Sequence, residues 1–166
     1  MPTQVVRQLT GVNKARVSTG GIYLYTYDFN TAHTTGTTEA GVDVLCTIVD
    51  GQLGIGDTLT VVVDQVLETS TATPIGPDQV VLSANQQSNT YYTDALRNIP
   101  VGSTITLTAT ASSEEWNDVE YAVGALYSLV ENGAVVSGLP SGVNPRTAVG
   151  QKADGTLVFY TIDGRR

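Results

Sequence analysis

The chain has 166 residues, one cysteine, one histidine and a formal net charge of −8 at neutral pH. An apolar fraction of 41% sets it apart from disordered chains. With no run near ~18 apolar residues and no Lys/Arg cluster, neither a membrane span nor a nucleic-acid partner is expected. A lone cysteine rules out an intrachain disulfide and a Cys-based zinc site.

At this length one domain burying roughly 70% of its unfolded surface is expected. Abundant Val, Thr and Tyr with 17 Gly and 6 Pro favour strands and turns over helices. The acidic balance serves solubility. Only 14% of residues are charged, and Ser, Thr, Asn and Gln cover much of the surface, which points to an extracellular or cell-surface setting. "MPTQVVRQLTGVNKAR" has no apolar signal-peptide core. The chain therefore reads either as cytoplasmic or as an internal piece of a longer secreted protein, and its abrupt C-terminus favours the second.

In chain order, "GIYLYTYDF" alternates Tyr with Ile and Leu and predicts a strand. A Thr-rich loop follows, "NTAHTTGTTEAG". "VDVLCTIVDGQLG" predicts a strand that turns at Asp50-Gly51, and "DTLTVVVDQVLET" its partner. "TSTATPIGPD" is a Pro/Gly loop and "QVVLSAN" a short apolar strand. "YYTDALRNIP" has room for one helical turn, ended by Pro100. "VGSTITLTATAS" puts Ile105, Leu107 and Ala109 on one strand face. "EYAVGALYSLV" fits either period, and Asn132-Gly133 after it reads as a tight turn. "RTAVGQKADGTLVFYTID" is a hairpin around Asp154-Gly155. The predicted fold is mainly β, an antiparallel sandwich or barrel-like sheet with one or two short helices, in one domain spanning 1–166.

Asp43, Asp50, Asp57 and Asp64 recur every seven residues. They do not converge as a calcium loop requires, so solvated turn and edge carboxylates are expected and no metal is assigned. His33, the sole histidine, sits in a Thr/Gly loop with no nucleophile elbow nearby, which makes it a loop residue rather than a catalytic base. Cys46 reads as a buried structural thiol. Glu114, Glu115, Asp118 and Glu120 surround Trp116. That composition suits a sugar site, with a solvated loop anchored by Trp116 as the plainer reading.

The C-terminal stretch 144–166, "NPRTAVGQKADGTLVFYTIDGRR", concentrates polar groups at one end of the predicted hairpin. Pro145 makes the approach to Arg146 extended. Arg146 opens one strand and Asp163 closes the other, so the two should meet at the same end. An exposed structural ion pair is one reading, and it would contribute little.

This stretch also resembles the Arg-Thr-Ala-x-Gly … Asp-Gly-x-Leu … Asp-Gly-Arg pattern of the phosphodiester glycosidases, the N-acetylglucosamine-1-phosphodiester α-N-acetylglucosaminidase or uncovering-enzyme family. "GALYSLVENGAVV", "PDQVVLSAN", "ALRNIPVGSTITL" and the strand–loop–strand from "VNKAR" to "CTIVDG" resemble further family segments. The resemblance implies hydrolysis of a sugar-1-phosphodiester by a protein needing no cofactor. It implies Arg146 and Asp163 as catalytic residues, with Thr147, Gly164 and Arg165 binding substrate. The family's Asn-Gly-x-Phe-Phe segment and its Asp-Gly-Gly-Gly-Ser segment do not occur here. The chain therefore resembles an internal fragment of the catalytic domain, which implies that remaining segments of a parent chain are its partners. The fragment alone would then show no turnover. A non-catalytic β-rich module that binds carbohydrate or supports neighbouring domains is the alternative. The natural substrate, the division of labour between Arg146 and Asp163, and the oligomeric state stay open at this point.

Overall fold

The computed structural model describes residues 5–17, 20–86, 90–111, 113–116, 119 and 122–164. The chain forms two compact units, 1–120 and 121–166. The first is a curled six-stranded sheet in the order β1-β2-β5-β3-β4-β6. Its strands are β1 (Gly11–Val12), β2 (Tyr23–Thr26), β3 (Gly41–Gly51), β4 (Thr58–Thr69), β5 (Gln79–Asn85) and β6 (Thr104–Thr108). Every pairing is antiparallel except β1 with β2. The mainly β architecture read from the sequence is the one observed.

Period-two alternation sorts the side chains of this sheet onto two faces. Ile22, Leu24, Val42, Val44, Cys46, Val61, Val63, Val80 and Leu82 form one buried cluster, closed by Leu96 of the single α-helix, α1 (Tyr91–Arg97). Tyr23, Tyr25, Val81 and Ile75 form a second cluster, with Phe29 and Leu45 against it. Strands β2 and β5 are therefore buried on both faces, the pattern of central rather than edge strands. Each fully buried aliphatic side chain in these clusters contributes about 1.5–3 kcal/mol. Helix α1 lies where one helical turn was expected and is followed by Asn98 and Pro100, which cannot extend it. Ile105 and Leu107 of β6 face the core as the alternation predicts.

Two sequence expectations change. Asp50-Gly51 is not the hairpin turn. Gly51 still pairs with Leu59, at φ 78°, and a register shift between Ile48 and Asp50 carries the strand past the dipeptide. The connection is the longer loop 52–57, because the bulge moves the turning point along the chain. Asp43 is not a solvated carboxylate. It is fully buried mid-strand, while Asp50 is exposed and Asp57 and Asp64 are partly exposed.

The second unit consists of two hairpins. Strands β7 (Val130–Glu131) and β8 (Ala134–Val135) flank Asn132 (φ 51°) and Gly133 (φ 78°), the left-handed pair of the predicted tight turn. No helix forms among residues 122–164, so the ambiguous "EYAVGALYSLV" segment is irregular where it is described. Strands β9 (Arg146–Gln151) and β10 (Leu157–Ile162) pair antiparallel about the Asp154-Gly155 turn. That turn is closed by Lys152 N–H donating to Thr156 O and by Thr156 N–H donating to the Asp154 carboxylate at 3.0 Å. The second bond holds the Asp154 carboxyl below its usual range.

Candidate active site

The polar groups singled out in 144–166 assemble at the open end of the β9–β10 hairpin. Arg146 pairs with Ile162, and Thr147 pairs with Thr161. Strand alternation therefore puts Arg146 on the face of Ile162 and Thr147 on the opposite face, with Thr161. Asp163 follows directly after β10. Gly164 then passes against Asn144: a Cβ at position 164 would lie 2.4 Å from the Asn144 carbonyl oxygen and 2.7 Å from its nitrogen. Only glycine permits that approach, and it draws the two chain ends together at the mouth. Arg146, Thr147 and Asp163 are exposed, and Gly164 is half-buried. Arg165 lies outside the described residues.

Arg146 and Asp163 share the hairpin end, as the sequence predicts, but they do not form an ion pair. Among the described residues the ion pairs are Arg16–Asp43, Arg97–Glu68 and Arg97–Asp94. The exposed guanidinium of Arg146 has no ion pair among the described residues. A planar cationic fork in that state suits recognition of a phosphate oxygen pair.

The first unit carries a buried polar cluster that sequence reasoning missed. The Arg16 side chain is 1% exposed and lies 3.6 Å from the Asp43 carboxylate, itself 1% exposed. Arg16 Nη1 donates to Ser83 Oγ at 2.9 Å, and Nη2 donates to the Glu39 carbonyl at 2.5 Å. The hydroxyls of Ser83 and Thr73 each donate to Asp43, both at 2.5 Å. Burial lowers the Arg16 pKa, opposed chiefly by the Asp43 charge. Gly41 gives the guanidinium its room, since a Cβ there would sit 2.4 Å from Nη1. The one sequence signal was an Asp inside the otherwise apolar "GVDVLC"; nothing local linked it to an Arg 27 positions earlier.

The other singled-out residues stand apart from the hairpin mouth in sequence and in kind. His33 is a loop residue at φ 50°, stacked on the Tyr27 ring at 3.6 Å, with Nδ1 2.8 Å from the Tyr27 carbonyl. Cys46 is buried, and burial pushes its thiol pKa up to about 12. Trp116 ends a short 3-10 turn with Glu114 and Glu115 and is exposed; Asp118 and Glu120 lie outside the described residues. Among the described residues no group of three His, Cys, Asp or Glu side chains could hold a metal ion. No helix there is long and apolar enough to cross a membrane.

The family model described as phosphodiester glycosidase matches residues 57–166, well over half of the chain. The chain belongs to the phosphodiester glycosidase family. Comparison with curated proteins and with solved structures gave no match. The match takes in the whole hairpin, with Arg146, Thr147, Asp163 and Gly164. Arg16, His33, Asp43 and Cys46 fall before it. The phosphodiester glycosidase segment thus begins at β4, inside the first unit, and continues through the second.

Proposed function

We propose that this phosphodiester glycosidase hydrolyses the bond between the anomeric carbon of a sugar and a phosphodiester oxygen, with Arg146 at the hairpin mouth receiving the phosphate. The carrying observation is the exposed guanidinium of Arg146 at the strand end where Gly164 passes against Asn144, inside the family match. N-acetylglucosamine-1-phosphodiesters are the substrate class the family resemblance favours. Ordinary glycosidases protonate an alcohol leaving group with a carboxylic acid. A phosphate departs as a stable anion and needs cationic donors instead. In this reading the anomeric carbon–oxygen bond breaks and its electrons go to the phosphate. Water adds to the anomeric carbon, and its proton is taken up by solvent or by Asp163. Thr147, Gly164 and Arg165 are the residues assigned to substrate binding.

The hairpin carries apolar side chains on both faces: Tyr160 and Ile162 on one, Val149 and Phe159 on the other, all exposed. Strands of that composition belong between covering layers. The two units are accordingly read as parts of one catalytic domain whose centre further protein completes, so that residues 1–166 alone give no turnover. A low charged fraction and a Ser/Thr-rich surface support an extracellular or cell-surface setting. Hydrolysis in heavy-oxygen water tests the reaction class. Label in the sugar's new hydroxyl supports it, and label in the released phosphate contradicts it.

A further inference from the structure

A cleft of about 250 Å3 opens in the first unit between Arg16, the Phe29 ring and loop 35–39. It lies before the family match and is built from different residues than the hairpin mouth. We propose that this cleft is a carbohydrate-binding site for one neutral sugar ring.

Three features select that ligand. The first is charge. The Arg16 cation at the floor is already matched by Asp43 at 3.6 Å, and Glu39 adds a carboxylate at the rim, bonded through Oε2 to the Asn85 amide at 3.0 Å. The molecule as a whole carries −8. An anionic ligand would enter against that balance, and Glu39, already bonded to Asn85, is the single carboxylate lining the cleft, too few to hold a metal ion, so a neutral ligand is favoured.

The second feature is the wall chemistry. Phe29 supplies an apolar ring, and Thr37 and Thr38 supply hydroxyls. The Thr38 hydroxyl has no protein partner among the described residues, whereas Thr37 Oγ1 is 3.4 Å from Arg16 Nη2. One apolar ring beside threonine hydroxyls matches a pyranose, whose C–H face stacks on an aromatic ring while its hydroxyls bond at the edges. The volume is below the ~300–1,000 Å3 of sites for larger ligands, which limits the occupant to a single ring.

The third feature is rigidity. Loop 33–36 is pinned to the Pro/Gly loop by Thr35 N–H donating to Thr73 O at 3.0 Å, Ile75 N–H donating to His33 O at 2.8 Å and Thr73 N–H donating to Thr35 Oγ1 at 3.0 Å. On the other side Arg16 Nη2 grips the Glu39 carbonyl. The Nε–H of Arg16, also buried, has no partner among the described residues. A pre-formed loop spares the ligand the cost of ordering it.

The proposal does not depend on hydrolysis at the hairpin, and the two are read by separate signals. The test follows backbone amide shifts of the full chain during titration with N-acetylglucosamine and, separately, with inorganic phosphate. Saturable shifts at Gly36, Thr37 and Thr38 with the sugar are expected, with a Kd on the order of millimolar because one ring offers few contacts. Phosphate should leave those amides in place. Thr38→Val, at an exposed position, should keep the melting temperature and weaken sugar binding about ten-fold through a lost hydrogen bond. No saturable shift with the sugar, saturation by phosphate instead, or unchanged affinity in Thr38→Val would each overturn the assignment.

Discussion

Arg16 shows how a single residue can secure a segment. Residues 10–17 join the sheet only through the two-residue β1 pairing and a few hydrogen bonds. Arg16 adds a buried cation that reaches β3, β5 and the Thr-rich loop at once. Arg16→Ala should lower stability by about 3–5 kcal/mol, because it strands the Asp43 carboxylate in the core. Urea unfolding measures this. The double variant Arg16→Met with Asp43→Leu should recover much of the loss, since replacing a buried pair by apolar groups is often neutral. Cys46 makes a pH prediction. Its thiol pKa rises from 9.0 unfolded to about 12 folded through burial. The folded state therefore keeps its proton where the unfolded state loses it. That stabilisation is complete below pH 9 and is lost as pH rises through about 12. Tyr25, also raised by burial, acts in the same direction. Unfolding free energy should fall over that window in the native chain, and less steeply in Cys46→Val.

At the scale of elements, the hairpin depends on its two ends. The far end is held by the Asp154–Thr156 turn bonds, and the mouth by the Gly164–Asn144 approach. Gly164→Ala should push the mouth apart at a cost of about 1–3 kcal/mol, as overpacking does. Amide shifts at residues 144–147 and 161–164 should move, while those at 152–156 stay. Movement at the turn as well would mean that the hairpin opens as a whole. The elements also show where local sequence speaks and where it does not. Asn132-Gly133 was legible because left-handed turn positions select both residues, and Asp154-Gly155 because Gly155 takes the left-handed position while the Asp154 carboxylate accepts from the Thr156 N–H. Asp50-Gly51 carried the same signal but marks a bulge, since the register shift between Ile48 and Asp50 is decided by the pairing of β3 with β4. Arg146, Thr147, Asp163 and Gly164 at one hairpin end followed from counting back from the turn. The Arg16–Asp43 pair was not legible, because no periodicity links residues from two distant segments that meet only in the folded core.

For the whole molecule, the sheet order sets a limit on what can fold alone. Strand β5 lies between β2 and β3, and both of those precede the family match that starts at residue 57. A chain cut to residues 57–166 would leave β5 without either neighbour and expose Val80, Val81 and Leu82. Such a chain should lack the dispersed amide spectrum and the cooperative melt of the 166-residue chain. A native-like spectrum from it would show that the first unit's fold does not need β2 and β3. The role proposed for Arg146 lies in the second unit. In an active enzyme carrying this sequence, kcat and melting temperature measured on one Arg146→Ala preparation test it most directly. Charged hydrogen bonds to a departing phosphate, at about 1.5–3 kcal/mol each, predict a kcat lowered roughly ten- to a hundred-fold or more. Arg146 is exposed and not ion-paired with Asp163, so the melting temperature should stay near that of the parent. Arg146→Lys, which keeps the charge and loses the fork, should recover part of the rate. A lowered melting temperature with an intact kcat would contradict the account and make Arg146 a structural residue.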